Sequence, residues 1–228
     1  MKMNDQQKKD TVAAFDFDGT LTTSDTLIAF IRFTHGRRRL LFGILLHAHW
    51  LLMMKLCLYP NGKAKEKIFS HFYKGTTHKQ FAQWGREFAD IAETMLNSHM
   101  VDTLKQHLAE DHTVCVVTAS IDEWVRPICE RLGVNTILAT QIEVSSNGTL
   151  TGRFLTPNCY GNQKVARLLE SFPQRQSYKL YAYGNSRGDY KLLTLADIGF
   201  HIEHHKFFPK TTKKYILGRN NDVSTSKH

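Results

Sequence analysis

Three short apolar runs, each stopping at polar residues, constrain this chain more than any other feature. Thr11-Val12-Ala13-Ala14-Phe15 ends at Asp16, Thr113-Val114-Cys115-Val116-Val117 at Thr118-Ala119-Ser120, and Tyr178-Lys179-Leu180-Tyr181-Ala182-Tyr183 at Gly184-Asn185-Ser186. Runs of this length, rich in β-branched and aromatic residues, read as buried strands. A helical pattern over 100–110 precedes the second. Another around 124–132, closed by Gly133, follows it, and then a hairpin with Asn147-Gly148 at its tip. Strands alternating with helices predict an α/β architecture, a Rossmann-like parallel sheet with helices on both faces. Such sheets bind ligands beyond the carboxyl ends of their strands, so the three polar ends are expected to share one crevice.

Residues 24–98 depart from this pattern, with helical spacing and almost no β-branched alternation. The expected organisation is a flexible N-terminus (1–10), a core (11–23 and 99–215), a helical cap inserted after the first strand (24–98) and a flexible basic tail (216–228). A chain of 228 residues, 42% hydrophobic, can bury one core and a small second lobe. The stripe Phe69, Phe72, Tyr73, Phe81, Trp84, Phe88 follows helical spacing and is expected to form the cap's interior. Cys57, Cys115, Cys129 and Cys159 are scattered, with no C-x-x-C, which signals neither a zinc site nor a disulfide framework. The polar start of the chain lacks a secretory apolar stretch, so the expected location is cytoplasmic.

The strand ends carry a chemically coherent set. Hydrolysing a phosphate monoester requires an in-line nucleophile, a proton donor for the leaving oxygen and positive charge on the equatorial oxygens. In Asp16-Phe17-Asp18-Gly19-Thr20, Asp16 at the strand tip can attack phosphorus. Asp18, two residues on and expected on the same side, can protonate the leaving group and later activate water. Gly19 lets the backbone approach a phosphate oxygen. Thr118 can donate to the phosphoryl group and Lys164 can supply a balancing cation. Two carboxylates facing a dianion call for a hard cation, and Mg2+ with Asp16, Asp189 and Asn185 as ligands fits.

The ordered segments D-F-D-G-T, V-V-T-A-S, isolated Lys164 and Y-G-N-S-R-G-D resemble the four motifs of the haloacid dehalogenase superfamily, over about residues 12–197. The insertion between the first two motifs and the hairpin before Lys164 resemble its phosphoserine-phosphatase-like subgroup. The resemblance implies an Mg2+-dependent phosphatase working through an aspartyl-phosphate. Asp16 would be the nucleophile; Asp18 would be acid/base and a metal ligand through its carbonyl. Gly19, Thr118, Ala119 and Lys164 would sit on phosphate, and Asp189 and Asn185 near the metal. Many members have aspartate where this chain has Asn185, which implies weaker metal affinity.

The cap bears on the substrate. Residues 40–59 are about as long as a membrane span, though His47, His49 and Lys55 interrupt them, and a single crossing would separate Asp16 from Thr118, Lys164 and Asp189. Three readings remain: a helix packed as a lid in the cap or a dimer, a tight hairpin, and a membrane-dipping or interfacial helix seating the enzyme peripherally on an anionic leaflet at the inner face of the membrane. The hydrophobic cap resembles that of phosphatidylglycerophosphatase members, which implies a lipid phosphate. A soluble metabolite such as phosphoserine is the alternative, and a catalytically weak basic protein binding membrane or nucleic acid is the alternative of another class. A formal charge of +9 favours anionic partners, with nucleic acid not expected. Asp25 sits where phosphoserine phosphatases place an acidic residue near the substrate amine, and it suits a helix N-cap equally. A cap arginine could come from Arg32, Arg37, Arg38, Arg39 or Arg86. His201-Ile202-Glu203-His204-His205 reads as a solvated strand edge, the strand stopping by Pro209, with Lys210, Lys213, Lys214 and Arg219 in a solvated basic tail.

Overall fold

The computed structural model describes residues 10–56, 58–202 and, for the backbone, 212–215. Cys57, the Glu203-His204-His205 half of the histidine cluster, Pro209, Lys210, Arg219 and the terminal segments 1–9 and 216–228 lie outside the described residues.

Strands β1 (Asp10–Phe15), β2 (Thr113–Ile121), β3 (Thr136–Thr140), β6 (Tyr178–Gly184), β7 (Ile198–Ile202) and β8 (Thr212–Tyr215) form one sheet in the order β3-β2-β1-β6-β7-β8. All neighbours are parallel except β7 and β8, which are antiparallel. A hairpin of β4 (Ile142–Val144) and β5 (Leu150–Phe154) stands apart from it. Helices α1 (Thr26–Leu46), α2 (Ala48–Lys55), α3 (Asn61–Tyr73) and α4 (His78–Thr94) lie between β1 and β2, followed by α5 (Ser98–Ala109). Helices α6 (Asp122–Arg131), α7 (Asn162–Ser171) and α8 (Tyr190–Leu195) are the later crossovers.

Period-two alternation along β1 explains the layering. Val12 and Ala14 face one side, packing with Cys115, Val117, Leu180 and Ala182 against Leu168 of α7 and Leu192 of α8. Ala13 and Phe15 face the other, joining Val114 and Val116 against Leu104 of α5 and Val125 of α6. With helices on both faces, this is the expected Rossmann-like α/β fold, and β1 sits at its centre.

The inserted helices have an aromatic interior of their own. Phe30 of α1 is fully buried, with ring centroids 5.7 Å from Tyr73, 5.5 Å from Phe81 and 5.2 Å from Phe88, and it stacks on Trp124 of α6 at 4.7 Å. The two segments that join the insertion to the sheet run side by side: Thr23 N–H donates to Met95 O at 2.8 Å and Asn97 N–H to Leu21 O at 2.8 Å. The hairpin leans on the insertion too. Leu150 N–H donates to Thr76 O at 2.8 Å, and Phe154 N–H to Glu66 Oε2 at 2.8 Å.

Four expectations change. Strand β2 continues through Thr118-Ala119-Ser120 to Ile121, with an irregular register against β3 after Val117. Strand β3, between a helix and the hairpin, was not expected. Lys213 and Lys214 belong to β8, so this part of the sequence resumes the sheet. Residues 40–59 are not one helix: His47, at φ −101° and ψ 7°, separates α1 from α2, and its ring Nδ1 lies 2.9 Å from Gly43 O. Among the described residues no helix is long and apolar enough to cross a membrane.

Candidate active site

The carboxyl ends of β1, β2 and β6 open into one cavity of about 480 Å³. Asp16, the residue after β1, is buried, and its N–H is fixed by Tyr183 O of β6 at 2.8 Å. Lys164, in the first turn of α7, is equally buried. Its Nζ lies 2.5 Å from Asp16 Oδ1 and 2.5 Å from Asp189 Oδ1, bridging the two carboxylates. Asp189 is held in turn by the loop after β6. Its Oδ2 accepts from Ser186 N at 2.9 Å, Ser186 Oγ at 2.6 Å and Asn185 N at 3.2 Å.

This arrangement sets the charges. Burial and the neighbouring Asp189 push Asp16 up to about 7, against the lowering pull of Lys164. Burial alone would raise Asp189, yet the Lys164 ammonium and the hydrogen bonds from Lys164 and Ser186 hold it below the usual carboxylate range. Burial would lower Lys164, and its two carboxylates hold it above its ordinary value instead. One cation between two buried carboxylates leaves negative charge in excess, and a raised Asp16 is the expected result.

Asp18 lies in a tight turn over Phe17–Leu21, where Gly19 takes φ +76°. Strand β1 has ended by this point, but Asp18 keeps extended backbone at φ −69° and ψ 121°, lines the same cavity as Asp16 and lies close enough for its charge to raise Asp16. There Asp18 Oδ1 accepts from Thr26 N at 2.8 Å and Thr26 Oγ1 at 2.6 Å, while Ser120 Oγ donates to Oδ2. Trp124 Nε1 completes the chain by donating to Thr26 Oγ1 at 3.2 Å. Gly19 lines the cavity, and its own packing gives a further reason for a glycine there. Its N–H goes to Thr22 Oγ1 at 3.3 Å, and a Cβ there would sit 2.1 Å from Asn185 Nδ2, besides the left-handed φ.

The other sequence-predicted residues converge on the same cavity. Thr118 is buried, and its Oγ1 accepts from Ser120 N at 3.0 Å, leaving the hydroxyl proton for another acceptor. Ala119 lines the wall, and its carbonyl accepts from Lys65 Nζ of α3 at 2.9 Å. Asn185 lines it too, with Oδ1 taking a 3.4 Å contact from Thr20 Oγ1. Asp25 is the N-cap of α1, accepting from Ile28 N at 3.2 Å, and it also borders the cavity. None of Arg32, Arg37, Arg38, Arg39 or Arg86 lines it; the cap cation there is Lys65.

Sequence reasoning missed Thr26, Ser120 and Lys65. The first two carried a faint signal: Thr26 follows an N-cap aspartate, and Ser120 stands two residues beyond Thr118. The inserted helices supply the remaining wall through Leu27, Ile28, Leu51, Met54 and Ile68. Among the described residues no cluster of three or more His, Cys, Asp or Glu side chains could hold a metal. The expected set is mixed: the Asp16 carboxylate and the Asn185 amide line the cavity, whereas Asp189 lies behind it with both oxygens already engaged by Lys164 and the loop after β6. Hard oxygen donors with surplus negative charge fit a hard divalent cation that keeps some of its waters.

A model of the haloacid dehalogenase-like hydrolases matches residues 13–194. Protein CicA of Caulobacter vibrioides is 34% identical over 191 residues, covering 82% of this chain and 83% of CicA. The histidinol-phosphatase of Neisseria meningitidis serogroup C is 28% identical over 151 residues, 60% of this chain and 66% of the relative. Among solved structures, a protein of unknown function from Bordetella pertussis Tohama I superposes with a TM-score of 0.71 at 23% identity, covering 84% of this chain and 89% of its own. A phosphoserine phosphatase carrying a phospho-aspartyl intermediate analogue superposes with a TM-score of 0.61 at 19% identity, covering 84% and 86%. With the family model spanning most of the chain, and β1, β2, α7 and β6 bringing its motif residues to one cavity, this protein belongs to the haloacid dehalogenase-like hydrolases.

Proposed function

We propose that the chain is a phosphatase that hydrolyses a phosphate monoester through an aspartyl-phosphate on Asp16. The observation that carries this reading is the convergence of Asp16 and Asp18, Thr118 and Lys164, from three separate segments, on one cavity. An Asp16 oxygen attacks phosphorus as the bond to the leaving oxygen breaks, and Asp18 gives that oxygen its proton. A water then attacks the same phosphorus, yields its proton to Asp18, and the Asp16–phosphorus link breaks. Lys164 keeps Asp16 in place and offsets charge on the phosphoryl oxygens, and Thr118 donates to one of them. Mg2+ would be held by Asp16, Asp189, Asn185 and the Asp18 carbonyl, and when bound it supplies charge neutralisation and Lewis acidity to the phosphoryl group.

The cavity's cap side supports a substrate with an apolar body, a lipid phosphate such as phosphatidylglycerophosphate. Five apolar side chains line that side, and Lys65 can meet a second anionic group. A small soluble metabolite such as phosphoserine is the second reading, favoured by Asp25 and Lys65 standing close enough at the cavity to influence each other. The test is a panel of phosphate monoesters, lipid and soluble, assayed with wild type and Asp16→Asn in parallel, with and without chelator. Turnover that survives both Asp16→Asn and metal removal would sink the proposal.

A further inference from the structure

The helices that wall the cavity also carry the largest apolar surface on the molecule's described residues. Leu41, Phe42, Leu45 and Leu46 of α1, with Leu52 of α2 and Leu56 just after it, each leave more than half their surface in solvent, and Leu58 extends the series. Elsewhere among the described residues only Leu155 and Tyr190 are as exposed. Isolated exposed leucines are ordinary; seven large apolar side chains within eighteen residues mark a surface meant to be covered. Phe72 leaves α1 no room to turn inward at Gly43, where a Cβ would come within 2.3 Å of that ring.

The charge of the same stretch indicates what covers it. Residues 26–65 contain no Asp or Glu, and they carry four arginines and three lysines. Arg37, Arg38 and Arg39 precede the apolar face directly, Lys55 lies within it and Lys63 follows; all five are exposed. A second copy of this chain would bring an equally cationic surface against it and be repelled. An anionic bilayer offers what both components require, phosphate-bearing headgroups for the cations and acyl chains for the leucines.

We infer that the face formed by α1 after Gly36 and by α2 docks on an anionic lipid surface, with the mouth of the cavity beside the bilayer. Helix α2 joins the two environments: Leu51 and Met54 line the cavity while Leu52 and Leu56 point away from it. A lipid phosphate would pass along this helix from leaflet to Asp16 without being fully drawn into water. That last step rests on the phosphatase reading; the docking itself does not.

Vesicle co-sedimentation tests it, using phosphatidylcholine with and without phosphatidylglycerol. Wild type should sediment with the anionic vesicles and stay in solution with the neutral ones. Phe42→Gln with Leu45→Gln, neither of which lines the cavity, should weaken binding by about a hundredfold, roughly tenfold for each buried side chain lost. Arg37→Gln with Arg38→Gln and Arg39→Gln should lower it about a hundredfold as well. Both variants should retain wild-type turnover of p-nitrophenyl phosphate, which separates docking from the catalytic reading and reports a folded chain. Wild type remaining in solution with anionic vesicles would overturn the inference. So would a dimer, seen by light scattering, that the Phe42/Leu45 variant dissolves.

Discussion

Lys164 stands between two buried carboxylates, and what each contributes follows from that position. Replacing it with methionine leaves Asp16 and Asp189 without their shared cation, and the expected loss is about 3–5 kcal/mol in denaturant unfolding at neutral pH. Asp16 acts in the opposite sense. Its folded value, pushed up to about 7, exceeds the ordinary 3.8, so the folded chain holds this proton more tightly than the unfolded one. Its contribution is therefore fully present below about pH 4 and is lost as pH rises through about 7. Asp16→Asn should raise the thermal midpoint above that window, and the gain should shrink towards acid pH. A lower midpoint at alkaline pH would contradict the assignment. Ser120→Ala removes one donor to Asp18 and should lower kcat by about tenfold with KM of a small substrate nearly unchanged, as expected for a positioning residue. Asp16, Thr118, Lys164 and Asp189 were legible in the sequence because strand ends and phosphoryl chemistry together restrict residue type. Thr26, Ser120 and Lys65 were not, because hydroxyls and lysines are common and their partners lie 102 residues away for Ser120 and 54 for Lys65.

The elements were legible where they obeyed one period. Strands β1 and β6, helices α5 and α6 and the Asn147-Gly148 turn lie within a few residues of their expected places, the turn because Gly148 takes the φ of +80° that such tips require. Strand β2 runs past its expected end because polar residues need not mark a loop: Thr118 and Ser120 are buried within the strand's span beside the candidate cavity. Backbone-to-backbone packing leaves no periodic signal at all. A Cβ on Gly85 of α4 would lie 2.0 Å from Glu123 O of α6, so the inserted helices approach the core there with no side chain between them. Gly85→Ala should cost about 1–3 kcal/mol through overpacking, against the gain in helix propensity that alanine would bring at an open position. Equilibrium unfolding in urea measures the sign directly.

At the scale of the whole molecule, β1 is the axis on which the other parts are organised. It is central in the sheet, pairs with the two strands whose ends meet it at the cavity, and feeds the insertion that closes over them. The insertion returns beside its own point of departure, through the pairing of Thr22 with Leu96, and Trp124 of the core stacks on Phe30 while holding Thr26. Any change in the insertion's seating is thereby felt at Asp18. Most of this architecture could be read from three strand ends and one interruption; the break at His47 could not be placed, since His47, His49 and Lys55 all interrupt the apolar run and nothing in the sequence says at which of them a helix stops. On the proposed route, phosphate passes through a covalent bond to Asp16. Acid quenching during turnover, followed by borohydride reduction, converts an aspartyl-phosphate to homoserine, and peptide mass spectrometry locates it. Homoserine should appear at residue 16 only when substrate is present; phosphate release with residue 16 recovered solely as aspartate would rule the covalent route out.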